Sequence, residues 1–149
     1  MGLKERLKSD LTEAIRARDE VRAGTIRMAL TSITNEEVAG KEARILTDAE
    51  IITVLSREAK KRREAAEAYD SAGSKERGDR ERAEGLVIAE YLPSQLSESE
   101  LQEMIKAAIV ETGASGPSGM GQVMKALSPK IAGRADGSKV SAAVKAALS

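Results

Sequence analysis

Between residues 3 and 15 the chain repeats Leu3, Leu7, Leu11 and Ile15, with charged side chains in between. That i, i+4 stripe predicts a helix over about 3–18. Asp19 stands where an N-cap would open a second helix, running to about Val38. This helix is apolar or small on two sides. Val21, Thr25, Met28 and Ser32 share one sector, while Ile26, Leu30 and Ile33 lie roughly opposite. Such a helix is expected at the centre of a bundle, with neighbours on both faces. Ala39-Gly40 ends it, and Thr47-x-x-Glu50 is a capping box for a third helix. The stripe of that helix is Ile51, Val54, Leu55, Ala59, Ala65, Ala66 and Tyr69. Glu58 and Arg62 fall inside it four residues apart, so they are expected to form a partly buried ion pair that fixes helix register. After the turn Ala72-Gly73-Ser74, a fourth helix begins in polar sequence at Lys75 and finishes apolar at Leu86 to Leu92, where Pro93 stops it.

The pattern restarts beyond Pro93. Ser97-x-x-Glu100 is a second capping box, followed by Leu101, Met104, Ile105, Ala108 and Ile109 at helical spacing, and Thr112-Gly113 closes that helix. A Gly/Ser-rich loop, Ala114 to Gly119, leads to Met120, Val123, Met124 and Leu127, with Pro129 as the expected terminator. Asp136-Gly137-Ser138 then caps a last helix bearing Val140, Val144, Ala147 and Leu148. The pattern therefore predicts an all-α protein. A four-helix N-terminal domain (1–92), most simply antiparallel hairpins, is followed by a small three-helix C-terminal domain (93–149).

Composition sharpens this picture mainly by exclusion. Of 149 residues, 24 are Ala, and the only aromatic side chains are Tyr69 and Tyr91. A β-sandwich or barrel core needs many more β-branched and aromatic residues than this. The absence of cysteine removes disulfides, thiolate nucleophiles and Cys-type zinc sites. The absence of histidine removes the usual general base and the commonest metal ligand. No apolar run approaches the roughly 20 residues of a membrane span, and the first residues lack the apolar core of a signal peptide. A cytoplasmic location is expected, with no membrane partner.

Candidate chemistry is sparse. Ser115 and Ser118 with Lys125 could suggest a Ser/Lys amidase, but loop and cap roles account for them. Gly116 and Gly121 have the outer spacing of a phosphate loop, yet Gln122-Val123 replaces its Lys-Ser/Thr pair and no strand precedes it. Backbone N–H groups opening the 120–127 helix remain able to meet a phosphate. Lys60 to Arg63 is the densest basic run, but Glu58, Glu64 and Glu67 surround it, which reads as a solvated, salt-bridged face. No acidic cluster has metal-ligand spacing, so no catalytic residue, metal or cofactor is expected.

The formal net charge is zero, but charge is unevenly placed. Residues 112–149 hold five bases (Lys125, Lys130, Arg134, Lys139 and Lys145) against the single acid Asp136, a local net of +4. Helical geometry sets Lys125 and Lys145 opposite the apolar stripes of their helices, where both should meet solvent.

The string Tyr91-Leu-Pro-Ser-Gln-Leu-Ser-Glu-Ser-Glu-Leu101 resembles the YqeY family of small bacterial cytosolic proteins. So do Met120-Gly-Gln-Val-Met124 and Pro129-Lys-Ile-Ala-Gly-Arg-Ala-Asp-Gly137, supported by Thr25-Ile-Arg-Met28, Asn35-Glu-Glu37 and the Lys60–Arg63 run. The resemblance implies a helical N-terminal domain and a three-helix C-terminal one similar to the tail of the B subunit of tRNA-dependent amidotransferase. It also implies an amidotransferase label, that of a carbon–nitrogen ligase using glutamine as amido donor, without any catalytic motif to support it. Three readings follow. The leading one is a non-catalytic tRNA-binding accessory module in which Lys125, Lys130, Arg134, Lys139 and Lys145 contact phosphates. Four or five such contacts predict a log–log salt slope of about −3 to −4.5. The second is a helical protein–protein adaptor for an aminoacyl-tRNA synthetase or amidotransferase, which zero net charge favours. The third is an amidotransferase acting on misacylated tRNA.

Overall fold

The computed structural model describes residues 1–149 as seven α-helices without a strand. The helices are α1 (Leu3–Arg16), α2 (Glu20–Glu37), α3 (Asp48–Ser71), α4 (Lys75–Ala89), α5 (Glu98–Thr112), α6 (Met120–Ile131) and α7 (Gly137–Leu148), with a 3-10 turn at Pro117–Gly119. The chain is all-α, as the pattern predicts. It falls into two compact units, Met1–Leu92 and Pro93–Ser149, each with its own apolar core.

In the first unit α2 touches α1, α3 and α4, so its position is central. Ile26, Ala29 and Ile33 on α2 pack with Leu7, Ile51, Leu55 and Ile88. The expectation of two covered faces needs correction. Thr25 is buried and α3 reaches this sector through Glu58 at Ser32 and Arg62 at Met28, but no helix covers it, and Val21 and Met28 stay 41% and 47% exposed.

The helix ends are set by side chains close in sequence. Asp19 accepts from Arg22 N (3.1 Å), and the Thr47/Glu50 capping box is complete. Asp48, at the start of α3, also accepts from Leu3 N (3.1 Å) and so caps the first turn of α1. Gly78 lets α4 lie close to α3, since a Cβ there would come within 2.5 Å of Asp70 Oδ1. Arg82 then donates to both Asp70 oxygens, at 2.9 and 3.1 Å.

Two buried carboxylates are fully engaged. Glu37 accepts from Lys4 Nζ (2.6 Å) and Leu46 N (3.2 Å), tying the 38–47 loop to α1. The Lys4 and Leu46 hydrogen bonds hold its carboxyl below the usual range. The expected Glu58–Arg62 pair forms, with Arg62 Nη1 3.0 Å from Glu58 Oε2. Arg62 Nη2 also lies 2.9 Å from Met28 Sδ, and its Nε is 3.3 Å from Glu84 Oε2 without hydrogen-bond geometry. Burial opposes ionisation of Glu58, but Arg62, Lys61 and Ser32 outweigh it and lower its pKa.

In the second unit, Leu101, Ile105 and Ala108 of α5 meet Val123, Leu127 and Ile131 of α6 and Val140, Val144 and Leu148 of α7. Ala147, expected on that stripe, is exposed. Gly113 ends α5 at φ +67°, a conformation that a side chain disfavours. Pro129 does not terminate α6, which runs two residues further to Ile131. Burial of Ile131 in register with Val123 and Leu127 compensates for the hydrogen bond that the proline nitrogen cannot make to Lys125.

Candidate nucleic-acid interface

The basic face of the second unit depends on which side of α6 and α7 is turned inward. Burying Val123, Leu127 and Ile131 leaves Lys125 exposed on the far side of α6. Burying Val140, Val144 and Leu148 does the same for Lys139 and Lys145 on α7. None of these three ammonium groups makes an ion pair or hydrogen bond within the chain.

The other two predicted cations are occupied. Lys130 Nζ lies 3.5 Å from Glu111 Oε2 at the end of α5. Arg134 Nε donates to Ser94 O (3.0 Å), and the Arg134 carbonyl accepts from Leu96 N (2.9 Å). Gln95 Nε2 adds a bond to Gly133 O (2.8 Å). The Pro93–Leu96 segment is therefore clasped by Gly133-Arg134, and the two most distinctive strings of the sequence meet in one structural joint. Sequence spacing alone gives Arg134 a phosphate-binding role, because it cannot show which backbone carbonyl will come within reach.

Lys125 borders a shallow hollow of about 360 Å³ together with Thr112, Gln122 and Ala126. Gln122 and Lys125 are three residues apart on α6, so they share one side of the helix. Gln122 is the residue that the charge pattern passes over, since an uncharged amide leaves no mark in it. The start of α6 offers less to an anion than its sequence suggests. The 3-10 turn feeds into it, so Gly119 N bonds to Gly116 O (3.1 Å) and Met120 N to Pro117 O. Both N–H groups would otherwise have been donors to a phosphate.

Elsewhere the chemistry stays thin. Arg62 of the Lys60–Arg63 run is buried in its ion-pair cluster, while Lys61 sits 3.4 Å from Glu58. Ser115 and Ser118 are exposed, and no group of three or more His, Cys, Asp or Glu residues could hold a metal ion. At the entry to α5, Ser97 accepts from Glu100 N and hydrogen bonds from Ser97 hold the Glu100 carboxyl below the usual range. No helix is long and apolar enough to cross a membrane.

The fungal protein "Altered inheritance of mitochondria protein 41, mitochondrial" from Pyrenophora tritici-repentis is 29% identical over 133 residues, covering 87% of this chain and 71% of its own length. The profile described as "Yqey-like protein" matches residues 4–148. Such membership supports a helical domain like the tail of the amidotransferase B subunit. With nearly every residue of both units inside that match, the chain belongs to the YqeY family.

Proposed function

We propose that the chain is a non-catalytic accessory module that binds tRNA through its second unit, in the cytoplasm, and carries out no amide transfer itself. The observation that carries this reading is the set of three exposed ammonium groups, Lys125, Lys139 and Lys145, on the outer sides of α6 and α7 with no partner within the chain. Unpaired lysines on rigid helices are suited to phosphate contacts, which supply most sequence-independent affinity for nucleic acid. The second unit has no aromatic side chain for base stacking, so backbone shape would dominate recognition.

Because Lys130 and Arg134 already have partners, three contacts are expected instead of five. Fluorescence anisotropy of the full chain with labelled tRNA, titrated across salt, should give a log–log slope of about −2 to −3. The triple variant Lys125→Ala, Lys139→Ala, Lys145→Ala should abolish binding, while Lys130→Ala should weaken it by less than about threefold. A hairpin RNA of equal length should bind less tightly than tRNA. Absence of binding at low salt would overturn the proposal.

Zero net charge supports a second reading, a protein adaptor for a synthetase or amidotransferase. A stoichiometric protein partner retained after nuclease treatment, with no RNA affinity in the pure chain, would be its signature.

A further inference from the structure

The outer face of α2 is unlike the rest of this highly charged surface. Val21, Gly24, Met28, Thr31 and Asn35 recur at alternating spacings of three and four residues, and all five are exposed and uncharged. Gly24 sits inside the helix with nothing within 4 Å of where its Cβ would lie, so no contact in the chain explains a residue that costs a helix interior about 1 kcal/mol. Glu20 and Arg27 flank this strip on one side, seven residues apart. Both are exposed, and neither side chain makes an ion pair or hydrogen bond within the chain.

We propose that this face pairs with the same face of a second copy, in an antiparallel α2–α2 contact about a twofold axis crossing near Ala23. The flanking charges are self-complementary in that arrangement. In an antiparallel pair each flank meets the same flank of the other helix, so Glu20 faces Arg27 of the second copy and Arg27 faces its Glu20. In a parallel pair each flank meets the opposite flank of the other helix, so Glu20 and Arg27 would not face one another. In the same register Val21 lies over Gly24 of the other copy, where the missing Cβ permits close approach. A hollow of about 480 Å³ opens along the charged flank itself, beside Ala14, Ile15, Arg18, Glu20 and Arg27. The α2–α2 overlap in this register runs only from Glu20 to about Arg27, about 12 Å at 1.5 Å per residue, and takes in Val21 and Gly24 with Met28 at its edge. It is narrower than the roughly 800 Å² per partner of a standard interface, so the dimer should be weak, with a Kd on the order of 10–100 µM. This surface lies outside the basic face and does not depend on nucleic-acid binding.

Sedimentation equilibrium of the full chain across that concentration range is the test. The wild-type chain should approach twice 15.8 kDa at the upper end. Arg27→Glu and Glu20→Arg, each placing like charges opposite one another, should each raise the Kd about tenfold or more. The double variant Glu20→Arg/Arg27→Glu should restore it to within about threefold of wild type, which no general surface effect would do. A chain that stays monomeric throughout overturns the proposal and leaves the face to another partner. A dimer insensitive to the single changes, or not restored by the double change, overturns the antiparallel pairing.

Discussion

Tyr91 is held from three directions. Its ring is buried, its hydroxyl donates to Asp10 Oδ2, and the Arg6 guanidinium lies 4.7 Å from the ring centroid. Beside it Arg22 pairs with Glu90, so the last residues of the first unit are fastened to α1 and α2. Burial, and then the neighbouring Asp10 carboxylate, push the phenol pKa well above its ordinary 10.0. The unfolded chain can release this proton near pH 10 while the folded one resists, so folding stability should fall as pH rises above about 10. Tyr91→Phe should cost about 1–3 kcal/mol at neutral pH, through the lost bond to a charged acceptor. It should also flatten the alkaline decline measured by urea unfolding; an unchanged slope would show that other groups set it. Position 91 reads in sequence as the end of an apolar helix. Its tether to Asp10, 81 residues away, could not be read there.

At the scale of elements, capping governs where most helices begin. Asp19, Thr47, Ser97 and Asp136 each accept a backbone N–H at a helix start, and each is recognisable because the interaction spans only two or three residues. Helix ends obey local rules less well. Pro129 is a stop signal by chemistry, yet α6 continues past it because Ile131 gains a place in the core. The lost i−4 hydrogen bond remains a local cost. Pro129→Ala should therefore stabilise the chain by about 1 kcal/mol, less than the interior penalty of a proline because the site is in the last turn and alanine loosens the unfolded chain. Denaturant unfolding would show it as a higher midpoint at unchanged slope, and a lower midpoint would mean that proline's stiffening of the unfolded chain dominates.

For the whole molecule, the decisive feature is that the two cores share no residue. Arg62 belongs to the first. Removing its charge leaves Glu58 and Glu84 facing each other without the guanidinium, so Arg62→Met should cost about 3–5 kcal/mol. Hydrogen exchange should report where that loss falls. Protection is expected to drop in α2, α3 and α4 and to persist at Ile105, Val123 and Val144. Equal loss in both units would show that they unfold as one body.

The sequence by itself determined the helical class, the cap positions, most of the inward stripes and the outward placement of Lys125 and Lys145. These follow from interactions within about one or two helical turns, and a 3.6-residue period fixes them before any packing occurs. Only the tertiary structure decided which side of α2 was covered, that Arg134 clasps Ser94, that Lys130 pairs with Glu111, and that Glu37 anchors Leu46. In each of these the partner comes from another element or from a loop, at a separation that periodicity does not encode. A charged side chain's role depends on the nearest opposite charge or carbonyl in space, and that neighbour exists only once the helices have packed.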